Sequence, residues 1–129
     1  MRHAPVHDYA RVALAAIRIF NGGAALLAPR VLTRRLGPQA DANPGSVYAF
    51  RMFGIRTVLI GADLLSPDPA VRRHAVRAAL VVHASDTMSA AAAGLTRQLP
   101  PRAAVTTTAI SSLNLLLSLL ARRDAGRRE

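Results

Sequence analysis

The sequence has no cysteine, no tryptophan and no lysine, and glutamate occurs once, at Glu129. Without cysteine there is no disulfide scaffold, no cysteine-based zinc site and no thiol nucleophile. The shortage of lysine and glutamate is more informative, because soluble helical domains usually cover their surfaces with both. The chain has 129 residues, enough for one domain, and its net charge of +10 comes from arginine.

Four stretches of the chain contain few charged residues, and each is about as long as a helix that crosses a hydrocarbon core. They are residues 12–28, 45–65, 78–96 and 103–121. The last has no charged side chain, so it lacks the charged outer face that a soluble surface helix usually has. We therefore predict an all-α fold, a four-helix transmembrane bundle with up-down-up-down topology, as a single membrane domain over residues 1–129.

Prolines and capping residues set the limits of the predicted helices. We place the spans at about residues 10–28, 46–65, 74–96 and 103–121. The third helix is predicted to begin at Pro69, with Asp68 as its N-cap, and to run to about Thr96. Residues 29–44 are predicted to form a basic loop or surface segment, because they contain Gly37 and several other helix breakers.

The distribution of arginine predicts an orientation in the membrane. Four spans place both termini and residues 66–77 on one side, with nine arginines: Arg2, Arg11, Arg72, Arg73, Arg77, Arg122, Arg123, Arg127 and Arg128. The opposite side has five: Arg30, Arg34, Arg35, Arg97 and Arg102. Because basic loops remain inside, we predict a multi-pass protein of the cell membrane with both termini cytoplasmic.

The first span also has some features of a signal peptide, because Ala24, Ala25 and Ala28 resemble a cleavage site. Arg18 and Asn21 interrupt its apolar run, however, and this is untypical of a signal peptide. We predict that the span is retained.

Two other classes of protein are basic and helical. Nucleic-acid binders usually carry arginine along one face beside stacking aromatic residues, and this chain has two tyrosines and three phenylalanines. We therefore predict no nucleic-acid partner. A soluble, alanine-rich basic bundle remains an alternative, and extraction by salt without detergent would establish it.

Charged side chains inside the predicted spans are costly and are candidates for a functional site. The candidates are Arg18, Arg51, Arg56, Asp63, His83 and Asp86. His83 and Asp86 are three residues apart and share a helix face. Because antiparallel neighbours bring the second and third helices together at mid-height, we predict an Arg56–Asp86 pair with His83 nearby. The alternative is that these charges only lock helix register. Arg18, Arg51 and Asp63 are interpreted mainly as locking or snorkelling groups.

The fourth helix has a polar stripe with spacings of four, three and four: Thr107, Ser111, Asn114 and Ser118. This spacing places the four side chains on one face. We predict that the stripe lies in the interior, where it contacts the charged groups or holds helices together.

Small residues form a further face on the second helix, at Gly54, Thr57 and Gly61. Small side chains let helix backbones approach closely, so we interpret this face as a packing surface.

The run Phe50-Arg51-Met52-Phe53-Gly54-Ile55-Arg56, followed by Gly61, His83 and Asp86, resembles small four-helix integral membrane proteins of actinobacteria. The resemblance covers about residues 48–121. Some comparable proteins are similar to membrane-bound terpene cyclases, in which an acidic residue protonates an alkene or epoxide. The resemblance implies that Asp86 is the proton donor and that Arg56 and His83 tune it. The chain departs from that class in having few aromatic residues to stabilise a carbocation, and those that could serve are Phe50, Phe53, Tyr48 and Phe20.

These patterns lead to two functional hypotheses. In the first, the catalytic residues Asp86, His83 and Arg56 bind and protonate an isoprenoid-like lipophilic molecule, as in a terpenoid cyclase or isomerase. The remaining polar and aromatic candidates would contact that molecule: Arg51, Asp63, Phe53, Thr107, Ser111 and Asn114. In the second, the protein is a non-enzymatic membrane or lipid-binding module, as a monomer or homo-oligomer. We predict no cofactor and no metal site, because His83 and Asp86 supply two ligands at most.

Overall fold

The computed structural model describes residues 6–122, and this range contains α-helices and no strand. Six helices occur within it: α1 (Val6–Leu27), α2 (Pro29–Leu36), α3 (Pro38–Ala42), α4 (Pro44–Leu64), α5 (Pro69–Leu95) and α6 (Pro101–Arg122). The all-α prediction is confirmed. Arg2, His3 and the arginines after Arg122 lie outside the described residues, so the part of the predicted topology that depends on them is not described.

Proline begins most of these helices, because it has no N–H to leave unbonded and its φ suits the first helical turn. Within the described range the helices that start this way are α2, α3, α4, α5 and α6. Side chains cap two of them: Asn43 accepts from the N–H of Gly45 at 2.8 Å, and Asp68 from that of Ala70 at 2.7 Å. The predicted N-cap at Asp68 and helix start at Pro69 are confirmed.

The segment predicted as a basic loop is instead largely helical, as α2 and α3. Its prolines start helices, and Gly37, with a φ of 115°, makes the turn between them. The two short helices are tied together by Asp41. One of its carboxylate oxygens accepts from the Thr33 hydroxyl at 2.8 Å, and the other lies 3.8 Å from Arg34 Nε. Proline residues at the start of α2 and α3, and Gly37 between these helices, are therefore compatible with helix formation in this segment.

The four long helices pack in a ring, in which α1 contacts α4 and α6, and α5 contacts α6 and α4. Helices α1 and α4 are antiparallel, since Gly22 lies against Gly54 while Ala15 lies against Gly61. Short connections reverse the chain again between α4 and α5 and between α5 and α6. As a result, α1 and α5 lie diagonally across the ring.

A small apolar core occupies the end of the ring where α1 begins and α6 ends. It consists of Leu14, Ala15, Leu64, Ala75, Val76, Ala79 and Ala121, with Ile60 and Leu117 packed against it. The next turns along α1 and α5 bring polar side chains to the interior instead, as described below.

The prediction of a four-helix transmembrane bundle is wrong. Among the helices of residues 6–122, two are long and apolar enough to cross a membrane, by length and composition: α1 and α6. Helix α4 contains Arg51, Arg56 and Asp63. Helix α5 begins with a basic segment that includes Arg72 and Arg73. These charges lower the hydropathy of both helices, and in α5 the many alanines lower it further relative to larger apolar residues.

The surface of the described chain is unusually rich in large apolar side chains. The more exposed ones include Tyr9, Phe20, Leu27, Tyr48, Leu59, Val81, Met88, Leu95, Val105, Leu113 and Leu116. The buried positions, by contrast, are held mostly by alanine, glycine, serine, threonine and a few larger polar residues. A water-soluble domain normally places its large apolar residues inside, so the usual arrangement is reversed.

Candidate functional site

Arg18 on α1 and His83 on α5 meet in the interior of the helix ring. Arg18 is 2% exposed and His83 is 5% exposed. Arg18 Nη1 lies 2.6 Å from His83 Nε2, a hydrogen bond that connects two helices diagonally opposed in the ring. Leu14, one turn earlier on α1, and Ala79, one turn earlier on α5, belong to the apolar core. The Arg18–His83 contact therefore lies next to that core.

The hydrogen bond determines the protonation of His83. A guanidinium can donate but cannot accept, so Nε2 must accept and the proton of a neutral imidazole must lie on Nδ1. Burial, and then the charge of Arg18, lower the pKa of His83 to about 4. His83 is therefore neutral near pH 7, with its Nδ1 proton directed to the side where Asp86 lies.

Asp86 is the third member of the cluster and its most accessible one. Its Oδ2 lies 3.8 Å from His83 Nδ1, and its side chain is 42% exposed. Partial burial raises the pKa of the Asp86 carboxyl, while the charge of Arg18 opposes that rise. The cluster thus runs from a fully buried cation, through a neutral imidazole, to an acid that is accessible from outside.

The polar stripe of α6 is largely buried, as predicted: Ser111, Asn114 and Ser118 are buried, and Thr107 is half-buried. The Ser118 hydroxyl donates to the backbone carbonyl of Asn114 at 2.8 Å. Asn114 Oδ1, Arg18 Nε and His83 Nδ1 are buried and have no hydrogen-bond partner in the part of the chain described. Each of these atoms has unused capacity for a hydrogen bond.

The predicted Arg56–Asp86 pair is not what the structure shows, because Arg18 is the arginine beside His83. The α4 residues that pack inward are Gly54, Thr57, Gly61 and Leu64. Arg56 lies two residues after Gly54, about 200° around the helix, so its side chain is exposed. The other α4 candidates, Arg51, Phe53 and Asp63, are also exposed. The structure therefore does not gather Arg56, Arg51, Phe53 and Asp63 around Asp86.

The sequence predicts a locking or snorkelling role for Arg18 and names Arg56 as the arginine of the cluster, whereas the structure places Arg18 beside His83. The sequence contains an indication that Arg18 is buried, because Arg18 is the single charged residue in residues 12–28 and lies near the middle of that stretch. A charge so far from either end of an apolar helix cannot easily reach the interface, so it needs a buried partner.

Close glycine contacts bring α1 and α4 together beside Arg18. A Cβ built on Gly54 would lie 2.7 Å from the Gly22 carbonyl oxygen, and one on Gly22 would lie 2.8 Å from that of Gly54. A Cβ on Gly61 would be 2.8 Å from Ile19 Cγ1 and 3.3 Å from Arg18 Cβ. The interpretation of the small-residue face as a packing surface agrees with these contacts. They place the stem of Arg18 directly against α4.

The chemistry available to the cluster is limited to hydrogen bonding, charge stabilisation and proton donation by Asp86. Within residues 6–122, no three His, Asp or Glu side chains converge as a metal site would require. A surface hollow lies elsewhere, near the start of α6, and is lined by Pro101, Arg102, Val105 and Thr106.

No family model matches the chain, and neither a curated protein nor a solved structure proves similar to it. The resemblance to small actinobacterial membrane proteins therefore stays a prediction, and the function has to be argued from the geometry.

Proposed function

We propose that the protein is a non-enzymatic integral membrane module, in which α1 and α6 cross the bilayer and the cluster of Arg18, His83 and Asp86 fixes how the helices pack. The observation that carries this proposal is the reversed distribution of side chains. Helices in lipid associate through small residues and interhelical hydrogen bonds, and present their large apolar side chains to acyl chains. This chain has all three features.

The burial of α1 and α6 supports a membrane location over the core of a soluble protein. A core helix of a soluble protein is mostly buried, whereas the apolar windows of α1 and α6 are 33% and 28% buried. The exposed remainder includes Phe20 at 75% and Val105 at 70%. In water, these surfaces would promote aggregation. In a bilayer they would face lipid.

An orientation follows from the antiparallel packing. Because α1 and α6 run in opposite directions, a protein in which both cross the bilayer has both termini on one side. Arg11 and Arg122 lie at that end, as do Arg72, Arg73 and Arg77 of α5. The sequence adds Arg2, Arg123, Arg127 and Arg128 before and after the described residues, which makes nine arginines on this side against five on the other. By the positive-inside rule we propose that this end is cytoplasmic and that the protein resides in the cell membrane.

Membrane extraction tests the proposal. After expression with a tag, membranes are washed with high salt, with alkaline carbonate and with non-ionic detergent, and the protein in each fraction is measured by immunoblot. We expect nearly all of the protein to remain in the pellet until detergent is added, because peripheral contacts of arginine with headgroups are broken by salt. Quantitative release by salt or carbonate would refute membrane insertion.

A second function is favoured by the accessibility of Asp86. The Asp86 carboxyl lies 3.8 Å from His83 Nδ1 and its side chain is 42% exposed, so it has the accessibility that a general acid requires. Under this second proposal the protein binds a lipophilic molecule of isoprenoid type that reaches Asp86 from the bilayer. The Asp86 carboxyl protonates an alkene of that molecule, whose π bond becomes a C–H bond, and the carboxylate takes a proton back from the resulting carbocation, so that an isomer forms without a further reactant.

Ligand-induced stabilisation tests the second proposal with the polyprenyl alcohol geranylgeraniol as probe. We expect the detergent-solubilised protein to melt several degrees higher with excess probe, because a ligand that binds the folded state stabilises it. Asp86→Asn should abolish this shift, and the exposed control Asp63→Asn should retain it. An equal shift in both variants, or none in the unmodified protein, would remove this function.

A further inference from the structure

Five exposed arginines gather at the end of the ring opposite the apolar core. They are Arg30, Arg34 and Arg35 of α2, Arg97 after α5, and Arg102 of α6, and we call them the arginine collar. The collar is formed by segments that are distant in sequence. A Cβ placed on Gly37, at the end of α2, would lie 3.1 Å from Pro100 Cγ in the α5–α6 connection. This contact places α2 beside the connection that precedes α6.

The collar is strongly positive because the structure provides little compensating negative charge. Arg34 Nε lies 3.8 Å from Asp41. For the remaining four arginines, no acidic partner lies within 4.0 Å among residues 6–122: Arg30, Arg35, Arg97 and Arg102. Unpaired like charges at one end of a small protein repel each other, and an external anion would relieve that repulsion.

The backbone at Arg97 is a second observation that singles out this end. Arg97 has a φ of 57°, in the left-handed region that favours glycine. Its N–H bonds to the carbonyl of Gly94 at 3.2 Å, and the next N–H, of Gln98, bonds to that of Ala93 at 2.8 Å. These bonds form a helix-ending turn in which glycine is the usual residue. Here the backbone carries an exposed arginine in that conformation despite its cost.

A belt of exposed apolar side chains adjoins the collar on the helix ends. Leu27, at the end of α1, and Leu95, at the end of α5, are each 86% exposed. Tyr48 near the start of α4 is 67% exposed, and Val105 near the start of α6 is 70% exposed. Apolar and aromatic side chains next to a ring of arginines are typical of the boundary between acyl chains and headgroups.

We propose that the arginine collar binds the phosphate groups of anionic phospholipids. The proposal rests on the proposed membrane location, since the adjoining apolar belt must lie in acyl chains for the collar to meet headgroups. The guanidinium group suits this role, because it remains charged and can donate two parallel hydrogen bonds to a phosphate. The combination of collar and belt favours a lipid over free phosphate, which has no apolar part to contact Leu27 or Leu95.

The test compares lipids on the detergent-solubilised full chain. Protein is titrated with phosphatidylglycerol, phosphatidylcholine or inorganic phosphate, and binding is measured by melting temperature and by native mass spectrometry of bound lipid. We expect phosphatidylglycerol to bind and stabilise, and the other two to have little effect. Replacing Arg30, Arg35, Arg97 and Arg102 singly with glutamine should weaken binding about five-fold each.

The control variant Arg73→Gln/Arg77→Gln removes two exposed arginines from the opposite end, and it should retain the phosphatidylglycerol response. Equal stabilisation by phosphatidylcholine would show that no anionic headgroup is recognised. Equal stabilisation by inorganic phosphate would show that the collar is a simple anion site. If the collar variants and the control variant lost phosphatidylglycerol binding to the same extent, the net charge of the protein, and not the collar, would attract the lipid. Membrane extraction is a separate measurement from lipid binding. A protein that is released only by detergent but shows no preference for phosphatidylglycerol would refute lipid binding by the collar and would leave the proposed membrane location intact.

Discussion

Replacing Gly54 or Gly22 with alanine is expected to destabilise the protein by about 2–3 kcal/mol. In each case the new Cβ meets backbone atoms of the facing helix: the carbonyl of Gly22 at 2.7 Å, or that of Gly54 at 2.8 Å. Backbone atoms in a packed helix pair cannot move aside individually, so α1 and α4 would have to separate. The free energy of unfolding, measured with denaturant in detergent micelles, gives the loss.

Gly23 provides a control in the adjacent position of the same helix. A Cβ on Gly23 has no neighbour within 4 Å. Gly23→Ala should therefore stabilise the protein by roughly 0.5–1 kcal/mol, because alanine has the higher helix propensity. We therefore expect Gly22→Ala to lower the free energy of unfolding and Gly23→Ala to raise it. If Gly22→Ala were also stabilising, the α1–α4 contact would not be as close as described.

Replacing His83 with leucine is expected to destabilise the protein by about 3–5 kcal/mol, because Arg18 would remain buried without its hydrogen-bond partner. Arg18→Met in the same chain should restore most of that loss, since an apolar pair has no charge to desolvate. A double-mutant cycle measures this coupling, and we expect a coupling energy of about 2–3 kcal/mol between Arg18 and His83.

The exposed residue Arg56 is the control for the cycle. Arg56→Met should change the free energy of unfolding by no more than about 0.5 kcal/mol and should show no coupling to His83. This outcome would distinguish the Arg18–His83 contact from the pair predicted from the sequence. Strong coupling of Arg56 to His83, with none for Arg18, would contradict the packing described for α1 and α5.

Most of the helices could be predicted from the sequence, because the residues that start, cap and end a helix lie close together along the chain. Capping by Asp68 and initiation at Pro69 depend on a few neighbouring residues, and the predicted limits of the long helices differ from the observed ones by no more than four residues. The apolar periodicity likewise placed the α6 stripe in the interior. The short helices α2 and α3 were missed because Pro38 and Pro44 were interpreted as breaks, although proline also starts helices.

The number of candidate spans was overestimated because a low density of charge is a weaker criterion than hydropathy. Helix α5 has few charges after Arg77, but its alanines, two serines and one threonine make it only moderately apolar. The hydropathy of helix α4 is also too low for a candidate span, because the helix contains Arg51 and Arg56. Helix α4 packs against α1 and α5, and α5 packs against α6 and α4. Both were predicted as helices, but neither is apolar enough to be a candidate span by its own length and composition.

Local sequence patterns were enough to predict the helical class, most helix limits and the interior position of the α6 stripe. They also predicted that His83 and Asp86 lie next to each other on one helix face. These features depend on residues within a few turns of one another. The partner of His83 depended on the tertiary structure, because it is set by how closely two helices approach and by their rotation. The contact of Gly22 with Gly54 turns Arg18 inward and leaves Arg56 outside, and no local pattern specifies which glycines meet.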